Sequence, residues 1–407
     1  MERFVGISGS RDGLPQLPDG DFLPPMEMNC MEAHFKGAVE SNFPERHVIN
    51  GRSAHITEAR EIYAKQGRAT CQARNLCQRG CPFGGYFSSN SSTLPWAEKT
   101  GNLTMVHHAV VESLIYDQEQ QKATGVRVID ANTKEITEYY AKVIFVNAST
   151  MNTNLILLNS KSSRFPNGLG NDNGLLGKYI AFHNYRGVIS GEYEGLEDKA
   201  INFMQPISSY MPRFRNLYQQ ETEFLRGYAA EVSAARIVDL NTEGFGRELK
   251  SNLLNPKFGN WIIQAQMMGE TIPKESNRVS LDPLKKDQWG IPLLSVNVEY
   301  DDNDERMIRD FEEQFTEMFE KAGFVNIRME DDKRAPGLDI HEMGGVRMGK
   351  DPKTSLLNEW NQMHACKNVY VTDGACMTST ATQNPSLTYM ALTARACDHA
   401  IRESKKS

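Results

Sequence analysis

The chain has 407 residues, 40% apolar and 24% charged, enough to bury one large core or two smaller ones. Its 45 basic and 52 acidic side chains leave a net charge of −7, and no basic run precedes the terminal Lys405-Lys406 pair, which argues against a nucleic-acid partner. No apolar stretch reaches the roughly 18 residues that a membrane-crossing helix needs, and Met1-Glu-Arg-Phe-Val-Gly6 lacks the apolar centre of a signal peptide, so a soluble chain in the cytoplasm is expected.

The first fifty residues are punctuated by Gly13-Leu-Pro15, Leu17-Pro-Asp-Gly20 and Leu23-Pro-Pro25, the signature of an irregular arm. Short helices are expected at Met31–Val39 and Ile56–Gln66. From Thr104 to Tyr116 the chain is rich in β-branched residues and reads as a strand; Ala123–Ile129 is a second and Glu138–Asn147 a third. The third feeds a leucine-rich helix that ends near Leu158, a strand-to-helix passage typical of nucleotide-binding α/β domains. Between Tyr185 and Ile327 the segments Gly187–Tyr193, Trp261–Met267 and Pro292–Tyr300 suggest an antiparallel sheet. Asp302–Ala322 follows as an amphipathic helix whose Met307, Ile308, Phe311, Phe315, Met318 and Phe319 form one apolar stripe, capped by Asp302 or Asn303 and stopped by Gly323. That stripe reads as core. After Lys333 the chain returns to the first domain with the buried strand Asn368–Gly374 and a last helix, Leu387–Ile401. The expected organisation is therefore a mixed α/β fold in three consecutive pieces, with residues 1–184 and 333–407 forming one domain around an antiparallel-sheet domain at 185–332.

Seven cysteines, an odd number, fit reduced thiols better than a disulfide framework. Three of them cluster as Cys71-x5-Cys77-x3-Cys81, but a zinc or iron–sulfur site ordinarily takes about four ligands and His55 does not stand at zinc-finger spacing from them. Small buried thiols in a tight turn are expected there, with no metal.

The segments that carry chemistry lie near the carboxy terminus. His341-Glu-Met-Gly-Gly-Val-Arg-Met-Gly349 is followed by Val371-Thr-Asp-Gly374 and Asn384-Pro-Ser-Leu-Thr388. Oxidising an alcohol requires a base for the hydroxyl proton, and neutral histidine suits that role. An amide such as Asn384 can donate a hydrogen bond to the same oxygen without competing for the proton. Gly344, Gly345 and Gly349 would let the backbone approach a planar ligand. The N–H groups of Ser386, Leu387 or Thr388 at a helix start can face an oxygen, and Asp373-Gly374 ends a strand where open α/β sheets bind ligands.

On these residues the chain resembles the glucose–methanol–choline (GMC) family of FAD-dependent oxidoreductases. The likeness extends to Cys81-Pro-Phe-Gly-Gly85, Asn102-Leu-Thr104, Ala123-Thr-Gly-Val126, Val143-Ile-Phe-Val-Asn-Ala148 and Glu270-x-x-Pro273-x-x-x-Asn277-Arg-Val279, covering most of the chain from about residue 70. It implies a partial FAD-binding, Rossmann-like domain plus a substrate domain. His341 would be the base and Asn384 its catalytic partner. Asp373, Gly374, Pro385, Ser386 and Thr388 would line the FAD, with Val111 meeting the adenine through its backbone. The implied reaction is oxidation of a CH–OH group, with a sugar suggested by likeness to the pyranose-oxidising branch; the electron acceptor stays open among oxygen, a quinone and a cytochrome. Two departures stand out. The family's Ala-Ala-Gly after the third strand is Asn147-Ala-Ser149 here, and the opening Gly-x-Gly-x-x-Gly unit has no counterpart, since Gly6-Ile-Ser-Gly9 reads as a loop. The chain thus resembles a family member from after its first βαβ unit, as a start-site truncation, a processed fragment or a natural short form. A catalytically inactive chain serving as a binding or assembly subunit is the alternative reading. Without a glycine-rich loop to hold the pyrophosphate, the chain by itself is expected to bind FAD weakly or not at all; tight, stoichiometric flavin absorbance in purified protein would contradict this.

Overall fold

The computed structural model describes residues 1–74, 76–199, 208–239, 244–333, 335–336 and 340–405. They divide into two compact units, one made of Met1–Leu103, Tyr185–Gly269 and Asp302–Lys333, the other of Thr104–Asn184, Glu270–Asp301 and Arg334–Ser407. This division differs from three consecutive pieces, in that residues 1–103 join the antiparallel-sheet unit and residues 270–301 leave it.

The first of these differences has a packing cause. The helix Cys30–Asn42 puts Met31, Phe35 and Val39 into one core with Phe311, Phe315 and Phe319 of the long helix Asp302–Lys321. Asn29 starts the shorter helix with a capping box: its Oδ1 accepts from Met31 N and Glu32 N, and Glu32 Oε2 accepts from Asn29 N at 3.2 Å. Both helices cover one face of an antiparallel sheet ordered Ile49–Asn50, Ser209–Met211, Tyr228–Asp239, Lys257–Glu270, Gly187–Tyr193, Val325–Asp331. Alternate residues Trp261, Ile263, Ala265 and Met267 of one central strand enter that core. A polar clamp fixes the helix to the sheet: Arg215 donates twice to Asp310, at 3.0 and 2.8 Å, and the Tyr228 hydroxyl donates to the same carboxylate at 2.6 Å. The helix expected over Ile56–Gln66 shrinks to Glu61–Lys65. The backbone of Ile56 is already bonded to Gly85 O and Cys71 N, so it cannot also close a helical turn.

In the second unit the meander Ala109–Asp117, Lys122–Asp130, Ile136–Tyr140 is antiparallel throughout. The third strand expected over Glu138–Asn147 is in fact two. Ala141 N still bonds to Thr124 O in the meander, whereas Ile144 N bonds to Asn368 O, and Ile144–Phe145 pairs in parallel with Val369–Tyr370. Asn368 holds this change of partner, its Oδ1 accepting from Ala123 N and its Nδ2 donating to Ala123 O and Lys142 O. The helices Thr150–Asn159 and Ser386–Ser404 follow the two parallel strands. Ile156, Leu157, Phe182, Val346, Leu357, Val369 and Val371 share the core with Val279 of the hairpin Arg278–Lys286/Pro292–Asn297, which is why residues 270–301 belong here.

Phe315 is fully buried and in ring contact with Phe311 and Phe319. Phe315→Ala should cost roughly 3–5 kcal/mol in urea unfolding monitored by circular dichroism, and Phe315→Leu clearly less. Equal, small losses for both would show that the stripe is not a packed core.

Candidate active site

The site grows from the ends of the two parallel strands in the second unit. Asn147, just past Ile144–Phe145, locks to Thr372, just past Val369–Tyr370: Asn147 Nδ2 donates to Thr372 Oγ1 and Thr372 N donates to Asn147 Oδ1, both at 2.9 Å. The next residue on the second strand, Asp373, is largely buried and surrounded by donors. Thr153 Oγ1 donates to its Oδ2 at 2.6 Å, Ala375 N to its Oδ1 at 3.0 Å, and Ser149 N also points to the carboxylate. Burial raises the Asp373 pKa, and these donors oppose the rise. Reaching Asp373 takes Ser149 to φ 68°, ψ 160°, a backbone region essentially reserved for glycine. Serine stands where the resembled family has glycine, and it adopts the glycine conformation.

Gly374 is the point of convergence. A Cβ there would lie 2.3 Å from Thr150 Oγ1, 2.6 Å from Glu342 O and 3.1 Å from the Tyr389 hydroxyl. The Thr150–Asn159 helix, the His341 loop and the final helix therefore all meet at one α-carbon. The loop then runs beside the Gly374–Cys376 turn, with Gly344 N, Val346 N and Met348 N donating to the carbonyls of 374, 375 and 376, each at 3.0 Å. Gly344 and Gly345 have φ 95° and 87°, and their missing side chains admit Tyr179 O and the Asn154 amide, while Gly349 faces Ser355. These glycines allow close chain-to-chain packing.

His341 sits at the start of this loop at φ 65°. Ala181 and Met343 exchange two backbone hydrogen bonds of 2.8 Å, an antiparallel bridge that sets His341 across from His183. Their ring centroids are 5.0 Å apart and nearly perpendicular, at 83°. Burial lowers the His341 pKa to about 4. Its Nδ1 is buried with no hydrogen-bond partner among the described residues.

Pro385 is buried at the N-cap of the final helix, and Asn384, Ser386 and Thr388 are exposed around it. The first N–H groups of that helix have no intrahelical acceptor, and Pro385 supplies no side-chain cap. Among the described residues no hydrogen bond joins His341 to Asn384; they are related through the shared packing at Gly374. Val111 stands elsewhere, half-buried in the meander opposite Val128, lining a cavity of about 420 Å³ with Val126, Tyr139 and the stretch Val143–Ala148. That stretch leads directly to Ser149 and Asp373. Thr150, Thr153, Asn154, His183 and Tyr389 were not singled out by sequence reasoning. Only the first three carry a local signal, spaced i, i+3, i+4 on one face of the helix that follows the strand. Cys71, Cys77 and Cys81 are half-buried and line a second, much smaller cavity with His55, whose Nε2 lies 3.5 Å from Cys77 Sγ. No group of three or more His, Cys, Asp or Glu side chains among the described residues is placed to hold a metal ion.

A strand-end site of this kind, at the carboxyl edge of a parallel pair, belongs to the nucleotide-binding α/β proteins. Residues 28–183 and 273–393 match the amino- and carboxy-terminal portions of the GMC oxidoreductase family. The 2-methyl-1,2-propanediol dehydrogenase of Mycolicibacterium austroafricanum is 30% identical over 98% of this chain and 72% of its own length. The fructose dehydrogenase large subunit of Gluconobacter japonicus is 24% identical over 86% of this chain and 63% of its own. The structure of pyridoxine 4-oxidase from Mesorbium loti superposes with a TM-score of 0.56 at 15% identity, covering 95% of this chain and 71% of that one, a likeness of fold. The chain belongs to the GMC oxidoreductase family, and it spans between about three fifths and three quarters of the length of these relatives.

Members of this family use FAD. The residues present fit the redox end of such a group. The Asp373-Gly374 strand end is packed against Glu342, next to His341, and against Tyr389 of the final helix, whose first turn has no side-chain cap. No helix among the described residues is long and apolar enough to cross a membrane.

Because Ser149 holds a glycine conformation, Ser149→Gly should raise stability by about 1–2 kcal/mol after allowing for glycine's larger unfolded-state entropy. Thermal or urea unfolding measures this, and a destabilised variant would mean that the serine side chain contributes more than its backbone strain costs.

Proposed function

We propose that this protein oxidises a CH–OH group of a sugar or small polyol, with His341 as the base and Asn384 as hydrogen-bond donor to the reacting oxygen. The supporting observation is the state of His341: an imidazole held neutral by burial, with Nδ1 enclosed and without a partner among the described residues, which leaves Nε2 as the nitrogen for the substrate. FAD, when bound, accepts the hydride that leaves the carbon. The protein's part is the proton and the orientation. His341 Nε2 takes the hydroxyl proton as the C–H bond breaks, and Asn384 Nδ2 donates to the oxygen, steadying the charge that develops there. Asp373, Gly374, Pro385, Ser386 and Thr388 would line the FAD, and Val111 in the meander would meet its adenine. Residues 1–184 and 333–407 would carry FAD-binding elements, and the sheet within 185–332 would select the substrate. The names of the relatives support the substrate class, one acting on a 1,2-diol and one on fructose; the electron acceptor stays open.

In protein loaded with flavin, His341→Ala should slow flavin reduction by roughly 10²–10⁴ in stopped-flow experiments with flavin still bound. Unchanged reduction would remove His341 from the mechanism, and flavin that no sugar or diol reduces would favour a binding or assembly subunit. The pH dependence has a definite sign. A histidine with its folded pKa near 4 stays a competent base well below pH 6.5, so the acid limb of the reduction rate should lie nearer 4 than 6.5. Unfolding frees the ring to bind a proton between those values, so the unfolded state carries more protons there and stability falls as pH drops from about 6.5 to 4. His341→Asn should flatten that part of the stability profile.

A further inference from the structure

The base has a neighbour with no assigned role. His183 is completely buried, and the Ala181–Met343 bridge sets it opposite His341, two residues away on each strand of the bridge. The rings meet nearly perpendicular at 5.0 Å, the edge-to-face geometry of an aromatic pair. A neutral imidazole is basic at one nitrogen only, and which one is decided by where the other nitrogen's proton rests. For Nε2 of His341 to be the base, Nδ1 must carry the proton, yet among the described residues Nδ1 is buried with no oxygen or nitrogen acceptor.

We propose that His183 is a positioning residue for His341, its ring face taking up the buried Nδ1–H edge so that Nε2 is left as the basic nitrogen. An N–H directed at an aromatic face is a weak bond, but no other acceptor among the described residues competes for it. The bridge supplies the alignment. Its two short hydrogen bonds hold the backbones in register, and the two rings lie in contact across it. The other ionisable groups around the Gly374 turn, Glu342, Asp373, Cys376 and Tyr389, act on one another, whereas burial alone depresses His341. The tautomer is therefore left to the histidine pair.

This inference rests on reading His341 as the base, and its test separates the two. The flavin-free full-length chain, labelled with nitrogen-15 at histidine, reports the His341 tautomer and pKa by NMR, with assignment by His341→Asn. His183→Phe keeps an aromatic face and should preserve the Nδ1–H tautomer and the low pKa. His183→Leu fills similar space without a face and should shift the population toward Nε2–H, admit water to the ring and move the pKa from about 4 toward 6.5. In flavin-loaded protein, His183→Leu should lower the reduction rate about 10- to 100-fold at unchanged KM, and Phe should restore most of it. An unchanged His341 tautomer and pKa in His183→Leu overturns the positioning role. If the NMR coupling holds while His341→Ala still reduces flavin at the normal rate, the base assignment fails and the pair is structural. A His183→Leu chain that does not fold leaves the decision to His183→Phe, where a lost Nδ1–H tautomer overturns the proposal.

Discussion

The carboxylate of Asp373, withdrawn from water at the end of a parallel strand, is the constraint on which the rest of the second unit depends. An acid in that position is costly unless donors surround it, and the donors come from chain segments far apart in sequence. Thr153 belongs to one helix, Ser149 to the turn before it, and Ala375 to the turn after the strand. Meeting this demand draws the two strand ends together and takes Ser149 into backbone space that serine seldom occupies.

With the strand ends fixed, the Gly374 α-carbon is small enough for three elements to touch at once. Thr150, the Glu342 carbonyl and Tyr389 all close on it. The His341 loop is thereby tied on one side to the 374–376 turn and on the other, through the Ala181–Met343 bridge, to His183. A half-buried, neutral imidazole follows from this packing, and the chemistry available to His341 follows from its being neutral.

Much of the architecture could be read locally. The stripe Met307–Phe319 states its own helix and its own buried face, and the alternation Trp261, Ile263, Ala265, Met267 states a strand with one face inward. The His341, Asp373-Gly374 and Asn384-Pro385 segments could be picked out because their glycines and proline mark turns beside side chains suited to proton transfer. What failed locally did so for reasons of partnership. Glu138–Asn147 looks like one strand because nothing in its residues records that its first half pairs with the meander and its second half with Val369–Tyr370. The helix expected over Ile56–Gln66 loses its first turn because Ile56 donates to Gly85 O and accepts from Cys71 N in the loop.

By itself, then, the sequence determined the periodic elements, the turn chemistry and the family. These depend on the order of neighbouring residues and on spacings of two to four positions, or on short motifs. Only the tertiary structure decided that the helix Cys30–Asn42 shares a core with the long helix, that Ser149 stands in a glycine's conformation, that the paired glycines pack closely against other segments, and that the His183 and His341 rings meet. Each of these depends on a contact between segments distant in sequence, made favourable by burying apolar surface or by satisfying a polar group removed from water. Local residue order carries no record of such contacts.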